Sequence, residues 1–267
     1  MTTTLSPKGI LYREQGGPEG PHLVFIHGFP FTHETWMPQL SVLPEDLHAV
    51  AYDIRGMGGS DPGDGQYTID LFVDDLIELL DHLRIDRAIL CGLSLGGYIA
   101  QRAVQRHADR IRGLILCCTK SEADTDLAKL NRAGSIRDIK RYGPGTFIET
   151  FQRQIFCRET FEKKPDIVAF IVTMMESVSP FGFSGCQLAL ASRTDTTSVL
   201  SSIVVPALVM AGEHDPFAPP AVMKALAEKI PGAEFCVLPH AAHMINLEST
   251  EEFNVRLLDF LQKICRQ

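Results

Sequence analysis

Gly92-Leu93-Ser94-Leu95-Gly96-Gly97 is the stretch on which the fold turns. It follows the apolar run Arg87 to Cys91 and opens a helical pattern that runs from Gly96 to His107. A G-x-S-x-G between strand and helix predicts a sharp, strained bend, with small residues letting the backbone pass close to itself. The bend lifts the serine hydroxyl above a sheet. The helix N-terminus then turns its free N–H groups toward any anion formed there. Away from a strand-to-helix junction, the same residues would read as a glycine-rich turn whose serine caps a helix.

Outward from this point the chain alternates β-type and helix-type runs. His22 to His27, His48 to Asp53, Arg87 to Cys91 and Ile111 to Cys117 are continuous apolar strands of the kind buried on both faces of a parallel sheet. Between them, Thr68 to Leu83 carries Leu71, Phe72, Leu76, Leu79, Leu80 and Leu83 near helical spacing. The order resumes later with strands at Ala207 to Ala211 and Glu234 to Leu238, and helices at Pro219 to Ile230 and Thr250 to Ile264. Strands alternating with helices predict βαβ units and a doubly wound α/β sheet. From Thr119 to Ser192 no strand pattern exists, and roughly 70 residues is too long for a plain loop. The expected division is a core of residues 1–118 and 193–267, with a helical insertion at 119–192.

Composition narrows the partners. The 267 residues carry a net charge of −8, with 45% hydrophobic and 22% charged residues. The longest basic clusters are pairs such as Lys140-Arg141, so no nucleic-acid surface is expected. No run approaches a membrane span, and Met1 to Pro7 lacks the pattern of a signal peptide. The seven cysteines are odd in number and lie mostly in apolar runs without a C-x-x-C pair, which fits reduced thiols in a cytoplasmic protein.

A serine nucleophile needs a base and an acid to orient it. His243 lies just after the Glu234 to Leu238 strand, at the sheet edge where ligands bind in open α/β folds. His240 is its rival. Glu213 and Asp215 compete for the acid position after the Ala207 to Ala211 strand. Gly212 turns the chain there and Pro216 fixes its exit, which favours Asp215. An oxyanion needs N–H donors. Leu95 follows the serine, and Phe29 stands in His27-Gly28-Phe29-Pro30 after the first apolar strand. Three decoys fail. Gly56 to Asp61 lacks the third glycine of a dinucleotide loop. His33-Glu34 lacks the second histidine of a zinc helix, Met37 standing in its place. His240 and His243 have no carboxylate-rich set around them in sequence. No metal and no cofactor is expected.

With these motifs in order, the chain resembles the α/β-hydrolase superfamily over nearly its whole length. The resemblance rests on His27 to Pro30, Asp53 to Ser60, Gly92 to Gly97, Gly212 to Asp215 and Ala242-His243. Within it, Pro206 to Pro220 and Asn246-Leu247-Glu248 are similar to small bacterial carboxylesterases and 3-oxoadipate enol-lactonase-like enzymes. The resemblance implies a mostly parallel sheet of about eight strands, with a helical cap inserted after the sixth. It also implies a Ser94–His243–Asp215 triad acting through an acyl-enzyme. Ser94 stands where related epoxide hydrolases and haloalkane dehalogenases have aspartate and dienelactone hydrolases have cysteine. The expected substrate is a small-molecule ester or lactone, and the expected state a monomer or small homo-oligomer. Enol-lactonase, other lactonase, carbon–carbon hydrolase, perhydrolase and slow-turnover receptor are the alternatives on the same triad. Arg132, Arg137, Arg153 and Arg193 are the candidates for reading an acidic substrate. Phe29, Met174, Met175 and Met244 are the candidate substrate contacts.

Overall fold

The computed structural model describes residues 2–265. Its centre is an eight-stranded sheet in the order β1-β2-β4-β3-β5-β6-β7-β8. The strands are β1 (Thr2–Leu5), β2 (Leu11–Gln15), β3 (His22–Ile26), β4 (His48–Tyr52), β5 (Ala88–Leu93), β6 (Ile111–Cys117), β7 (Ala207–Gly212) and β8 (Glu234–Leu238). The six strands from β4 across to β8 pair in parallel. The apolar runs read from sequence are these six, each within two residues of its expected bounds. The hairpin β1–β2 pairs antiparallel at the edge, through β2 with β4. It has no counterpart in the sequence reading, because Thr2–Leu5 and Leu11–Gln15 are short, largely polar strands without an apolar run.

Helices cover both faces, as buried parallel strands require. They are α1 (Met37–Leu40), α2 (Ile69–His82), α3 (Leu95–Arg106), α4 (Asp126–Tyr142), α5 (Gly145–Ile155), α6 (Arg158–Lys163), α7 (Pro165–Ser177), α8 (Pro180–Ser192), α9 (Pro220–Ala227), α10 (Ile245–Glu248) and α11 (Thr250–Cys265). Alternation along each strand divides the core in two. Val24, Ile26, Leu90, Leu114 and Val209 pack with Phe72, Leu76, Ile99 and Met223 from α2, α3 and α9. Leu23, Phe25, Ile89, Ile115 and Met210 pack with Trp36, Phe253, Leu257 and Phe260. Local signals set the helix ends. Thr68 caps α2, its hydroxyl accepting from the Leu71 N–H at 3.0 Å, a contact worth about 1 kcal/mol.

Five helices, α4 to α8, lie between β6 and β7, which is the insertion point expected after the sixth strand. Within this segment α4 packs on α8 and α5 on α7. Among the described residues no single helix is long and apolar enough to cross a membrane. The apolar pair α7 and α8 is bent by 97° at its junction.

Candidate active site

The parallel strands end on one edge, and the chain leaves that edge through every residue singled out for chemistry. Ser94 follows β5 directly and stands at φ +52 and ψ −109 before α3. That conformation costs a non-glycine residue of order 1–3 kcal/mol, so its surroundings must impose it. They do so by close approach. A Cβ on Gly92 would sit 2.3 Å from the Gly96 carbonyl oxygen, and one on Gly96 would sit 2.1 Å from that of Ile26. The Ser94 N–H donates to Cys117 O at 2.9 Å, and the Thr119 hydroxyl donates to Ser94 O at 2.9 Å. These bonds pin the bend to β6.

Asp215 follows β7 and is buried. Its Oδ1 accepts from the N–H of Phe217 at 2.8 Å and of Ala218 at 3.2 Å. Its Oδ2 accepts from His243 Nδ1 at 2.9 Å. Burial alone would raise this carboxyl's pKa. The neighbouring imidazole and these donors outweigh it and hold the pKa below the usual carboxylate value. An ionised Asp215 accepts only, so His243 carries its proton on Nδ1 and leaves the Nε2 lone pair free. The rivals lie elsewhere. His240 is exposed and pairs with Glu159 at 3.1 Å, and exposed Glu213 accepts from the His240 N–H.

The loop after β3 is built around His27. Its Nδ1 donates to Gly28 O at 2.8 Å, and its Nε2 accepts the Ile54 N–H at 2.9 Å. The ring is fully buried and neutral in this arrangement, and burial pushes its pKa down to about 4. Asp53 braces the same loop by accepting from the His33 N–H and ring at 2.7 Å each. Among the described residues the N–H groups of Phe29 and Leu95 have no acceptor.

Ser94, His243, Phe29 and Leu95 line one cavity of about 370 Å³. One wall is aromatic. Phe147 stacks on Phe151 at 5.1 Å, Phe151 meets Phe217 at 5.7 Å, and Phe217 packs edge-on against His243 at 5.1 Å. The lining also has polar residues, Lys120, Asp124, Asn131, Arg132 and Gln187. Arg132 and Arg193 both pair with Asp124, while Lys120 has no ion-pair partner among the described residues. Burial, then Arg193, lowers the Lys120 pKa from its ordinary value.

Of the expected substrate contacts, Phe29 lines the cavity and Met174, Met175 and Met244 do not. The Met174 sulfur receives the Thr32 N–H at 3.2 Å, which places it under the loop after β3. Met175 and Met244 are fully buried in the core. Arg137 and Arg153 are exposed and pair with neighbours on their own helices.

Two residues are given no role at the site by the sequence reading. Glu248 is buried and accepts from Cys157 N, Thr160 Oγ1 and Ala242 N at 2.7, 2.7 and 2.8 Å. Cys118, the residue after β6, is buried beside Asp215 and His243. Adjacency to a strand's C-terminal end was the available signal for Cys118. For Glu248 it was an acid in an otherwise apolar run after the histidine.

Comparison with known proteins agrees with this architecture. The family model described as "Alpha/beta hydrolase family" matches residues 23–256. The chain is 30% identical to 3-oxoadipate enol-lactonase 2 of Acinetobacter baylyi, over 95% of this chain and 93% of that one. Among solved structures it matches a thermophilic esterase from Thermogutta terrifontis with a TM-score of 0.93 and 33% identity, covering 99% of this chain and 97% of that one. It matches the enol-lactonase of Burkholderia xenovorans with a TM-score of 0.88 and 31% identity, covering 95% and 96%. The chain belongs to the alpha/beta hydrolase family.

Proposed function

We propose that this hydrolase cleaves carboxylic esters of small to medium apolar groups, with Ser94 as nucleophile, His243 as general base and Asp215 as its orienting acid. The observation that carries the reading is the forced bend at Ser94, on the wall of a cavity shared with His243, whose Nδ1 is held by Asp215. In that tautomer Nε2 takes the Ser94 proton as Oγ bonds to the ester carbonyl carbon. The N–H groups of Phe29 and Leu95 receive the oxyanion. Collapse of the intermediate returns the proton to the departing alcohol and leaves an acyl-enzyme. Water then gives its proton to Nε2, adds its hydroxide to the acyl carbon, and the acid leaves as Oγ recovers the proton. Every proton and electron pair is accounted for by these groups.

Residues 119–192 act in this reading as a cap. Its helix α5 supplies Phe147 and Phe151, an apolar wall suited to an alkyl or aryl group. The free thiols, five of them buried, suit a reducing compartment such as the cytoplasm.

The test is hydrolysis of p-nitrophenyl esters from acetate to decanoate, with Ser94→Ala as control. Fast turnover with a chain-length optimum, lost in the variant, supports the reading. Wild-type rates in Ser94→Ala would sink it.

A second reading, an enol-lactonase or other lactonase for a substrate bearing an acidic group, is favoured by one observation. Lys120 and Arg132 stand on the cavity wall of an otherwise acidic chain. Two of the matched proteins are enol-lactonases, and the Thermogutta esterase is described with malate bound. Preference for a lactone or an anionic ester over neutral p-nitrophenyl esters would favour it.

A further inference from the structure

Cys118 has no part in the hydrolysis proposed above, yet it stands against its machinery. It leaves β6 at φ +46, a left-handed conformation that turns a non-glycine residue sharply off the sheet edge. Its sulfur lies 3.8 Å from the Ala242 carbonyl, next to His243. One donor atom each of Cys118, Asp215 and His243 lie within 4.8 Å of one another. The three residues are only 1%, 3% and 3% exposed. Cys118 and His243 also line the cavity, which gives a small ion a route from solvent. Among the described residues no other three such donors come together in this way.

We propose that Cys118, Asp215 and His243 form a binding site for a borderline or soft divalent cation, Zn²⁺ or Cd²⁺, whose occupancy switches the hydrolase off. Thiolate, imidazole and carboxylate are the donors these ions take. Zinc bond lengths place tetrahedral donors about 3.3–3.6 Å apart. On the zinc geometry the Asp215–His243 contact at 2.9 Å must open by about 0.5 Å and Cys118 must close by at most about 1.5 Å. Two anionic donors offset the ion's charge, as a buried site demands. Three protein donors leave a fourth position for water on the cavity side.

Binding is a proton exchange. The Cys118 thiol releases its proton to solvent and its sulfur donates a lone pair to the ion. His243 coordinates through Nδ1, so its proton moves to Nε2. An Nε2 that carries a proton does not accept one from Ser94, and Asp215 no longer orients the ring. Cation and turnover therefore compete for one imidazole. The loss of turnover rests on the role given above to His243; the binding does not.

The experiment is titration of CdCl₂ into the full-length protein, read by the ultraviolet thiolate-to-cadmium absorption band and by ester hydrolysis. Wild type and Ser94→Ala are expected to develop the band with one equivalent of cadmium, and wild type to lose turnover in step. A chelator restores it. Cys118→Ser, its hydrolysis read relative to its own cadmium-free rate, develops no band at one equivalent and needs at least about tenfold more cadmium for half-inhibition. The half-buried thiols provide the control, since Cys236→Ser and Cys265→Ser behave as wild type. If Cys118→Ser does not fold, Cys118→Ala and the wild-type proton release on binding decide the same question. No band in wild type, a band that survives in Cys118→Ser, or equal inhibition of both proteins overturns the site. A band without loss of turnover overturns the switch. If wild type hydrolyses no ester, the hydrolase reading fails, while the band in Ser94→Ala still decides the site.

Discussion

The backbone N–H of His243 donates to the carbonyl of Ile155 at 3.0 Å, so the candidate base hangs from the last residue of α5. Met244 N–H shares the same acceptor at 3.3 Å. The helix that carries Phe147 and Phe151 over the cavity is thus fixed to the loop that carries the imidazole. Glu248 makes the same connection a second time, through Cys157 and Thr160 on one side and Ala242 on the other. Movement of α5 would displace the histidine as well as the aromatic wall.

Glu248→Gln tests that connection. Glutamine has one acceptor oxygen where glutamate has two. Its amide N–H₂ must face either Ala242 N–H or the Cys157 and Thr160 donors, which leaves buried donors unpaired. The expected loss is about 1–3 kcal/mol. For a chain of this size that lowers the melting temperature by several degrees. Scanning calorimetry reads the shift. Because the His243 loop loosens with it, kcat should fall more than KM rises. An unchanged melting temperature would show that Glu248 does not hold the two segments together.

Acid should destabilise the protein through His27. Its folded pKa of about 4 lies below the ordinary unfolded value of about 6.5. Below that value the unfolded chain binds a proton that the folded chain refuses, so stability is complete above it and falls as pH drops toward 4. One such proton over that interval amounts to roughly 3 kcal/mol. Urea midpoints at pH 7 and pH 4.5, compared between wild type and His27→Asn, isolate the effect. The variant should lose less stability on acidification by roughly 2 kcal/mol. Parallel losses in both proteins would show that His27 is protonated in the fold.

Legibility followed the backbone. The place of Ser94, Asp215 and His243 at the sheet edge is readable because each comes just after an apolar run whose end is marked by glycine or proline. Glu248 and Cys118 are defined by what tertiary folding brings to them, from α5, α6 and β7, and no spacing encodes that. Met174 and Met175 show the converse error. Adjacent positions on one apolar helix carry no sign of which face meets the cavity, and both pack inward. Arg132 reaches the wall through the way α4 leans over the sheet edge, and Lys120 through the turn the chain takes after β6, and no local pattern encodes either.

Lys120→Met separates the two substrate readings. The methionine keeps the apolar stem and removes the charge. If the natural substrate carries a carboxylate, KM for an anionic ester should rise about tenfold, an ion-pair loss near 1.4 kcal/mol in a half-buried setting. KM for a neutral ester of the same length should stay within about twofold. Steady-state kinetics on the matched hemisuccinate, with its carboxylate free, and pentanoate esters of p-nitrophenol make the comparison. Equal effects on both would leave Lys120 without a role in reading charge and favour the neutral-ester reading.

Ser94→Gly should make the protein more stable and inactive at once. The residue holds φ +52 because Gly92, Gly96 and the bonds to Cys117 and Thr119 leave it no alternative. Glycine enters that region without the Cβ clash, relieving strain of order 1–3 kcal/mol. Against this stands the extra freedom of glycine in the unfolded chain, about 0.4–1 kcal/mol. The balance is a gain of roughly 1 kcal/mol, or a few degrees in melting temperature. Ser94→Ala removes the same hydroxyl but keeps the Cβ and therefore the strain, so it should lose activity without the gain. A glycine variant no more stable than the alanine variant would mean that the bend at Ser94 stores no energy. Its position would then owe nothing to a trade of stability for an exposed nucleophile.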